Sequence, residues 1–142
     1  ERENWEKNQS WQAFRELMER MLAAKDWAES FLALNIIAKP AIDEAFLRGL
    51  RNSGRRANDT LLALLAEAAL RDSERSRRWT TSLVEMILSV SGNRSQMELL
   101  MDKWCPLANS AIENYCSTLP NQPGAVDLAM SNLKKFHSQL GL

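Results

Sequence analysis

Apolar residues recur three and four positions apart along most of the chain, and this spacing predicts helices throughout. No stretch alternates polar and apolar residues for long enough to make a strand. The sequence therefore predicts an all-α fold, a bundle of about five long helices that form a single domain over residues 1–142. We place these helices at residues 11–24, 26–50, 60–90, 94–116 and 126–140.

The second predicted helix should be the central element of the fold. Asp26 can cap its first turn, and Glu29 completes a capping box, in which two orphan backbone N–H groups find side-chain acceptors. Residues 30–38 carry no charge, a pattern typical of a helix that other helices surround. Pro40 lacks an N–H and its ring crowds the carbonyl of Ile36, so we expect the helix to kink there and continue.

Three residues on one face of this helix lead to a prediction about burial. Trp27, Phe31 and Asn35 follow one another at intervals of four residues. Because Asn35 is the one amide in an apolar stretch, we expect it to be buried and bonded to a neighbouring helix, for instance to a backbone carbonyl loosened by the kink at Pro40 or at Pro106. The alternative is a surface asparagine on a half-exposed face.

The third predicted helix is interrupted by a polar insert. Residues 61–70 are nearly all apolar, whereas residues 71–78 contain no apolar side chain. The insert is either a solvated turn or a contact with another chain. A break near Asp72 and Ser73 is the main alternative to one continuous helix, because both residue types favour helix ends.

The segments between the helices contain residues typical of caps and turns. The polar stretch over residues 1–10 predicts a loop with Ser10 as the first helix cap, and residues 25–26 predict a hairpin or a bend. Gly54 is the expected left-handed residue after the second helix. Further expected features are a turn at residues 91–93, a bend at Pro106 and a loop at residues 117–124.

Charge and hydrophobic content exclude several classes of partner. The chain has 142 residues, of which 45% are hydrophobic, and its 18 lysines and arginines balance 18 aspartates and glutamates. We therefore expect no nucleic-acid partner and no membrane surface. No uncharged run approaches the roughly 20 apolar residues that span a bilayer. Because the chain begins with Glu1, a processed or truncated start is also an expectation.

The two cysteines indicate a reducing compartment. Cys105 and Cys116 are separated by about 16 Å of rise on one helix, whereas a disulfide needs alpha carbons within about 7 Å. We therefore expect two reduced thiols and a cytoplasmic protein.

The sequence contains no recognisable set of metal ligands. A di-iron site in a helical bundle needs two Glu-x-x-His motifs, but the one histidine, His137, has no glutamate three residues before it. We expect His137 at the surface or at an interface. The arginines within residues 71–78 predict a solvated or ion-paired face rather than a phosphate site. No catalytic, cofactor-binding or metal-binding residue is predicted.

A series of tryptophan-centred motifs runs through nearly the whole sequence. They comprise Trp11, Arg15 and Glu19; Asp26, Trp27, Glu29, Phe31, Ala33, Asn35, Lys39 and Pro40; Asp72, Arg78, Trp79 and Leu83; Asn93 and Arg94; Trp104, Pro106 and Ala108; and Phe136, His137, Leu140, Gly141 and Leu142. With these motifs the sequence resembles the β subunit of the hydroxylase of bacterial multicomponent soluble di-iron monooxygenases, which act on methane, phenol, toluene or alkenes. It departs from the family at Ala13, where proline is common, and at residues 51–56, where loop lengths vary.

The resemblance implies a ferritin-like fold and a place in a larger complex. The family subunit is roughly twice as long, so the chain would be its C-terminal half. In the family the α subunit holds the two irons, and the β subunit has lost the ligands; residues 74–79 would be the counterpart of an α-subunit Glu-x-x-His region. The implied partners are the α subunit, a small γ subunit, a second β subunit across a two-fold axis, and regulatory and reductase components.

Two functions follow as hypotheses. The first is a non-catalytic structural subunit, without a cofactor of its own, of a monooxygenase that oxidises hydrocarbons or aromatics with dioxygen and NADH-derived electrons. The second is an independent helical adaptor or ligand-binding bundle. The sequence does not indicate which hydrocarbon is oxidised.

Overall fold

Six helices make up the fold in a computed structural model that describes residues 2–120 and 122–142. They are α1 (Arg2–Lys7), α2 (Gln9–Leu22), α3 (residues 27–56), α4 (Thr60–Leu88), α5 (Asn93–Cys116) and α6 (Ala125–Gln139). No residue in these two ranges lies in a strand, so the predicted all-α bundle is confirmed. The ferritin-like topology and the single domain over residues 1–142 stay predictions.

Helix α3 is one continuous helix of mixed type. Its α-helical segments Trp27–Leu32, Lys39–Ile42 and Arg48–Arg56 alternate with the π-helical segments Ala33–Ala38 and Asp43–Leu47. A π turn bonds to the fifth residue along the chain rather than to the fourth, and so it can absorb a local mismatch in the hydrogen-bond ladder. The helix therefore continues through Pro40, as predicted, and extends beyond Leu50 to Arg56.

Burial confirms that α3 is the central helix. Its middle contributes a near-continuous run to the core, namely Phe31, Leu32, Ala33, Ile36, Ile37, Ala38, Ala41 and Ala45. Helices α2, α5 and α6 add Phe14 and Leu17, then Trp104, Ala108, Ala111 and Ile112, then Ala129, Leu133 and Phe136. The small alanines at 33, 38, 41 and 45 are fully buried, which allows neighbouring helices to approach α3 closely.

The chain before α2 differs from the predicted loop. Residues Arg2–Lys7 form a short helix, which ion pairs four residues apart stabilise: Arg2 with Glu6 at 2.7 Å and Lys7 with Glu3 at 2.9 Å. The cap of α2 is also not Ser10. The Asn8 side chain accepts from the Ser10 backbone N–H at 3.0 Å, and the helix begins at Gln9, two residues earlier than predicted.

The predicted left-handed cap at Gly54 is wrong. Gly54 lies inside the helix and is buried, and the left-handed residue at this junction is Asn58, with φ of 56°. A Cβ on Gly54 would lie 2.8 Å from the Ala63 backbone nitrogen. Glycine is therefore needed for the close packing of α4 against the end of α3.

Helix α4 is unbroken over 29 residues, so the alternative break near Asp72 is wrong. Asp59 caps it by accepting from the Leu62 N–H at 2.9 Å. Ser73 is buried and bonds back to the Ala69 carbonyl at 3.1 Å, an arrangement that holds a polar residue inside a helix. Helix α5 continues across Pro106, and the predicted loop at 117–124 includes residue 121, which lies outside the described residues.

Candidate functional site

Two acidic residues lie in the core, at the second π segment of α3. Asp43 and Glu44 are each 3% exposed. Glu44 accepts from Arg48 through two guanidinium nitrogens, from Arg77 at 2.9 Å and from the Asn132 amide at 2.8 Å. These four hydrogen bonds fill the acceptor positions of a carboxylate, so Glu44 is fully satisfied.

Asp43, the residue before Glu44, is also paired with cations. The Lys39 ammonium donates to both of its carboxylate oxygens, at 3.2 and 3.0 Å, and also to the Ser73 hydroxyl at 3.1 Å. A second cation, the Arg77 guanidinium, lies 3.7 Å from the Asp43 carboxylate. Two buried carboxylates are thus compensated by three cations, which we call the interior ion-pair network: Lys39, Asp43, Glu44, Arg48 and Arg77.

The network keeps Glu44 ionised. Burial alone would raise the pKa of this carboxyl, but the hydrogen bonds from Arg48 and Asn132 and the charges of Arg48 and Arg77 outweigh it. The pKa of Glu44 therefore lies below its usual value. The pKa of Arg48 is raised, chiefly because its guanidinium donates a hydrogen bond to Glu44.

The residues of the network do not fit a metal ion. Within the described ranges, no three histidine, cysteine, aspartate or glutamate side chains come together as a set of metal ligands. The positions around Asp43 and Glu44 hold ammonium and guanidinium groups, which donate hydrogen bonds and cannot coordinate a cation. The positive charge that a metal would supply to these carboxylates comes instead from Lys39, Arg48 and Arg77.

The structure separates the arginines of residues 71–78, which the sequence grouped together. Arg77 faces inward to the network and its guanidinium lies 5.3 Å from the Phe136 ring centre, whereas Arg75 pairs with Asp72 on the surface at 3.1 Å. The ion-paired interpretation is confirmed for these two residues. Asp43 and Glu44 were not predicted as site residues. The one pattern in the sequence that indicates their ion pairs is the spacing of four residues in Lys39–Asp43 and Glu44–Arg48, within an otherwise apolar helix.

His137 was predicted at the surface or at an interface. It is half-buried against α3, with its Nε2 3.0 Å from the Ile36 carbonyl oxygen in the first π segment, so the surface position is wrong and the interface position stays a prediction. Pro40 has no N–H to donate to that carbonyl, and the histidine is a side-chain donor to it from α6. Burial lowers the pKa of His137; the Ile36 hydrogen bond opposes this shift, and the Arg77 charge adds to it.

Asn35 is half-buried rather than buried, and its predicted bond to a neighbouring helix is wrong. Its amide donates to the Phe31 carbonyl of its own helix at 3.2 Å. Trp27, which was expected to cover it, is 68% exposed and stacks on Phe31 at a ring distance of 5.7 Å. The alternative prediction, an asparagine on a half-exposed face of the helix, is the one that the structure shows.

The predicted capping box at the start of α3 is confirmed in one half only. Asp26 accepts from the Glu29 N–H at 2.9 Å. The Glu29 carboxylate does not return to the cap but accepts from Lys103 at 2.5 Å and from the Trp104 indole at 3.0 Å. These hydrogen bonds tie the start of α3 to α5, and they lower the pKa of Glu29, chiefly through Lys103.

Both thiols are protonated and unpaired. Cys105 is half-buried and Cys116 is buried, and burial raises the pKa of each to about 11. No disulfide joins them, and the reduced state stays a prediction. A thiol that remains protonated at neutral pH is a poor nucleophile, so neither cysteine has the environment of a catalytic residue.

Two apolar surfaces remain exposed on the outside of the bundle. The first half of α4 presents Leu61, Leu64 and Leu65, each at least 60% exposed, which we call the leucine face. The second, the tryptophan face, surrounds Phe31 and includes Trp27 and Trp79, with Phe31 and Trp79 in edge contact at 6.0 Å. None of the described helices is both long and apolar enough to cross a membrane.

These features define a class of protein: an all-α chain with charge-compensated interior carboxylates and exposed apolar faces of the kind that subunit contacts cover. A family model described as Methane/Phenol/Alkene Hydroxylase matches residues 1–91, and the chain belongs to this family.

A curated relative and a solved structure agree with this assignment. The chain is 45% identical over 119 residues to the hydroxylase component subunit beta of the toluene-4-monooxygenase system of Ectopseudomonas mendocina. It also superimposes, with a TM-score of 0.80 and 45% identity, on a chain of toluene 4-monooxygenase solved with toluene bound in the resting active site. The predicted resemblance to a hydroxylase β subunit is thereby confirmed.

The alignment covers most of this chain but a minority of each relative. It spans 84% of this chain and 36% of the curated protein, and 83% of this chain and 39% of the solved one.

Proposed function

We propose that the chain is a non-catalytic structural subunit of a multicomponent di-iron monooxygenase hydroxylase. The observation that carries this proposal is the charge compensation of the interior carboxylates. In a chain of a hydroxylase family, Lys39 donates to both oxygens of Asp43, and Arg48 and Arg77 donate to Glu44, so that cations of the chain itself stand where iron would have to bind. The chemistry of such an enzyme would then belong to another subunit.

The proposed partners are the di-iron α subunit, a γ subunit and a second copy of the β subunit. The relative's printed name describes one subunit of a hydroxylase component, which supports a multisubunit assembly. The leucine face and the tryptophan face are the surfaces that such contacts would cover, since an exposed cluster of large apolar side chains is costly in an isolated protein. The assembled enzyme would hydroxylate or epoxidise hydrocarbons or aromatics with dioxygen and NADH-derived electrons.

Co-purification tests this function. The chain is tagged and expressed together with the proteins encoded beside it, which should include one with two Glu-x-x-His motifs. We expect the chain to capture that iron-containing protein in a stable complex. A chain that purifies as a monomer and leaves the iron protein in the flow-through would contradict the proposal and would favour an independent adaptor.

A further inference from the structure

An open cavity lies beside the interior ion-pair network, between α3, α4 and α6. It has a volume of about 430 Å³, and its lining includes the buried Glu44 and Phe136. Its lining contains four cations and two carboxylates, so the local charge is +2 although the whole chain is neutral. These charged residues are Arg48, Arg77, Arg78 and Lys135, with Glu44 and Glu74.

The positive charge is not cancelled within the cavity. Glu44 already accepts four hydrogen bonds and cannot take another donor. The exposed Arg78 and Lys135 have no carboxylate oxygen within 4.0 Å in the described part of the chain, and in that part the Arg77 Nε also has no hydrogen-bond partner. Cationic donors therefore remain available at the open end.

The chemistry of this lining selects an oxyanion. A guanidinium group presents parallel N–H donors that match the two oxygens of a carboxylate, and an ammonium group adds a point charge. Arg78 on α4 and Lys135 on α6 both line the cavity, and the Asn132 and Gln139 side chains add further polar lining. The two unpaired cations therefore come from separate helices.

We propose that this basic cavity receives the carboxylate of an acidic side chain from another subunit of the hydroxylase. That the carboxylate comes from another subunit rests on the proposed function. The cavity opens broadly to the surface, where a side chain of a partner can enter. Its lining carries a net charge of +2 although the whole chain is neutral, and this positive charge complements an acidic group on a partner.

A pair of double variants tests this site in the full-length subunit. R78Q/K135Q removes the two unpaired cations of the cavity. R71Q/K134Q is the matched control, because it changes the same net charge on the same two helices at exposed positions that do not line the cavity. Thermal unfolding of both variants checks that the subunit stays folded.

The measurement is the affinity for the other hydroxylase subunits at low and at physiological salt. We expect R78Q/K135Q to weaken assembly by about tenfold or more, with a shallower salt dependence, and the control to change it less than about twofold. Equal effects of the two variants would overturn the proposal. Acetate or phosphate binding in the cavity of the subunit alone, with normal assembly of R78Q/K135Q, would also overturn it, because the anion would then be a free one.

The two proposals fail in different ways. If the wild-type chain captures no partner, the proposed function and the carboxylate contact fail together. If the wild type and R78Q/K135Q assemble equally well, the structural-subunit function stands and the cavity proposal alone is lost.

Discussion

Glu44 is the residue on which the interior ion pairs converge, since four hydrogen bonds from three side chains end on its carboxylate. Glu44→Gln would leave the partly buried Arg48 without its paired carboxylate and would leave Arg77 with Asp43 alone, at 3.7 Å. We expect it to lower the free energy of unfolding by about 2–3 kcal/mol, less than for a fully buried pair because both arginines keep some solvent contact. Glu74→Gln, at an exposed position, should change it by less than about 0.5 kcal/mol. Urea denaturation of both variants compares them, and equal effects would contradict the account.

His137 gives the chain a specific pH dependence. Its pKa in the folded state is below the ordinary 6.5, chiefly because of burial, so below pH 6.5 the unfolded chain binds a proton that the folded chain does not. The stability linked to His137 is therefore fully present above pH 6.5 and is lost as the pH falls toward the folded-state pKa.

His137→Gln tests this linkage, since glutamine can still donate to the Ile36 carbonyl but does not titrate. The wild type should lose more stability between pH 7.5 and 5.5 than the variant does. Identical losses, measured by urea denaturation at the two pH values, would show that folding does not lower the pKa of His137.

Asn35 shows how a correct pattern can lead to a wrong environment. The spacing of Trp27, Phe31 and Asn35 does place them on one face, but only Phe31 is buried. Large aromatics usually indicate a core, and here Trp27 stacks on Phe31 from the outside. The sequence of one chain contains no signal for which apolar face other subunits cover.

We expect Asn35→Leu to have little effect on stability. Its amide bonds to a carbonyl of its own helix on a half-exposed face, so no buried partner is orphaned. We expect a change in unfolding free energy of less than about 0.5 kcal/mol by chemical denaturation of the chain alone. A loss above about 1 kcal/mol would show that the amide has a buried partner.

At the scale of elements, the contact between the end of α3 and the start of α4 depends on Gly54. An alanine there would put Cβ 2.8 Å from the Ala63 backbone nitrogen, and backbone cannot move aside. We expect Gly54→Ala to cost about 1–2 kcal/mol despite the better helix propensity of alanine.

Gly49→Ala is the matched control on the same helix. Its Cβ would meet the Leu119 side chain at 3.0 Å, and a leucine tip can rotate away. This variant should be close to neutral in thermal unfolding. If Gly49→Ala lowered the stability as much as Gly54→Ala does, the backbone contact between Gly54 and Ala63 would not be the reason that glycine is needed at position 54.

Helix positions could be predicted because they depend on local periodicity, whereas helix type could not. The five predicted long helices match α2 to α6 within a few residues, apart from the extension of α3 to Arg56. The π segments at Ala33–Ala38 and Asp43–Leu47 have no such periodic signal, because they arise where packing and Pro40 alter the hydrogen-bond ladder. Helix α1 was missed because its two ion pairs stabilise a polar segment that lacks an apolar stripe.

At the scale of the whole molecule, the family could be identified from the sequence but the interior network could not. Some residues of the motifs that support the resemblance contact each other in the fold: the Trp104 indole on α5 donates to the Glu29 carboxylate on α3. The donors to Glu44 include Arg77 and Asn132, which are 33 and 88 residues away in sequence. Only the folded chain brings them together, so the sequence pattern does not reveal that all the acceptor positions of Glu44 are occupied.

The iron content of the chain tests the central claim, that its interior carboxylates are occupied by cations and bind no metal. The chain is purified alone after growth in iron-rich medium and again from the assembled complex after its subunits are separated, and iron per polypeptide is measured. We predict well under one iron per chain in both preparations, with iron recovered in the partner subunit. Stoichiometric iron in the isolated chain, lost in His137→Ala or Glu29→Ala, would contradict the account.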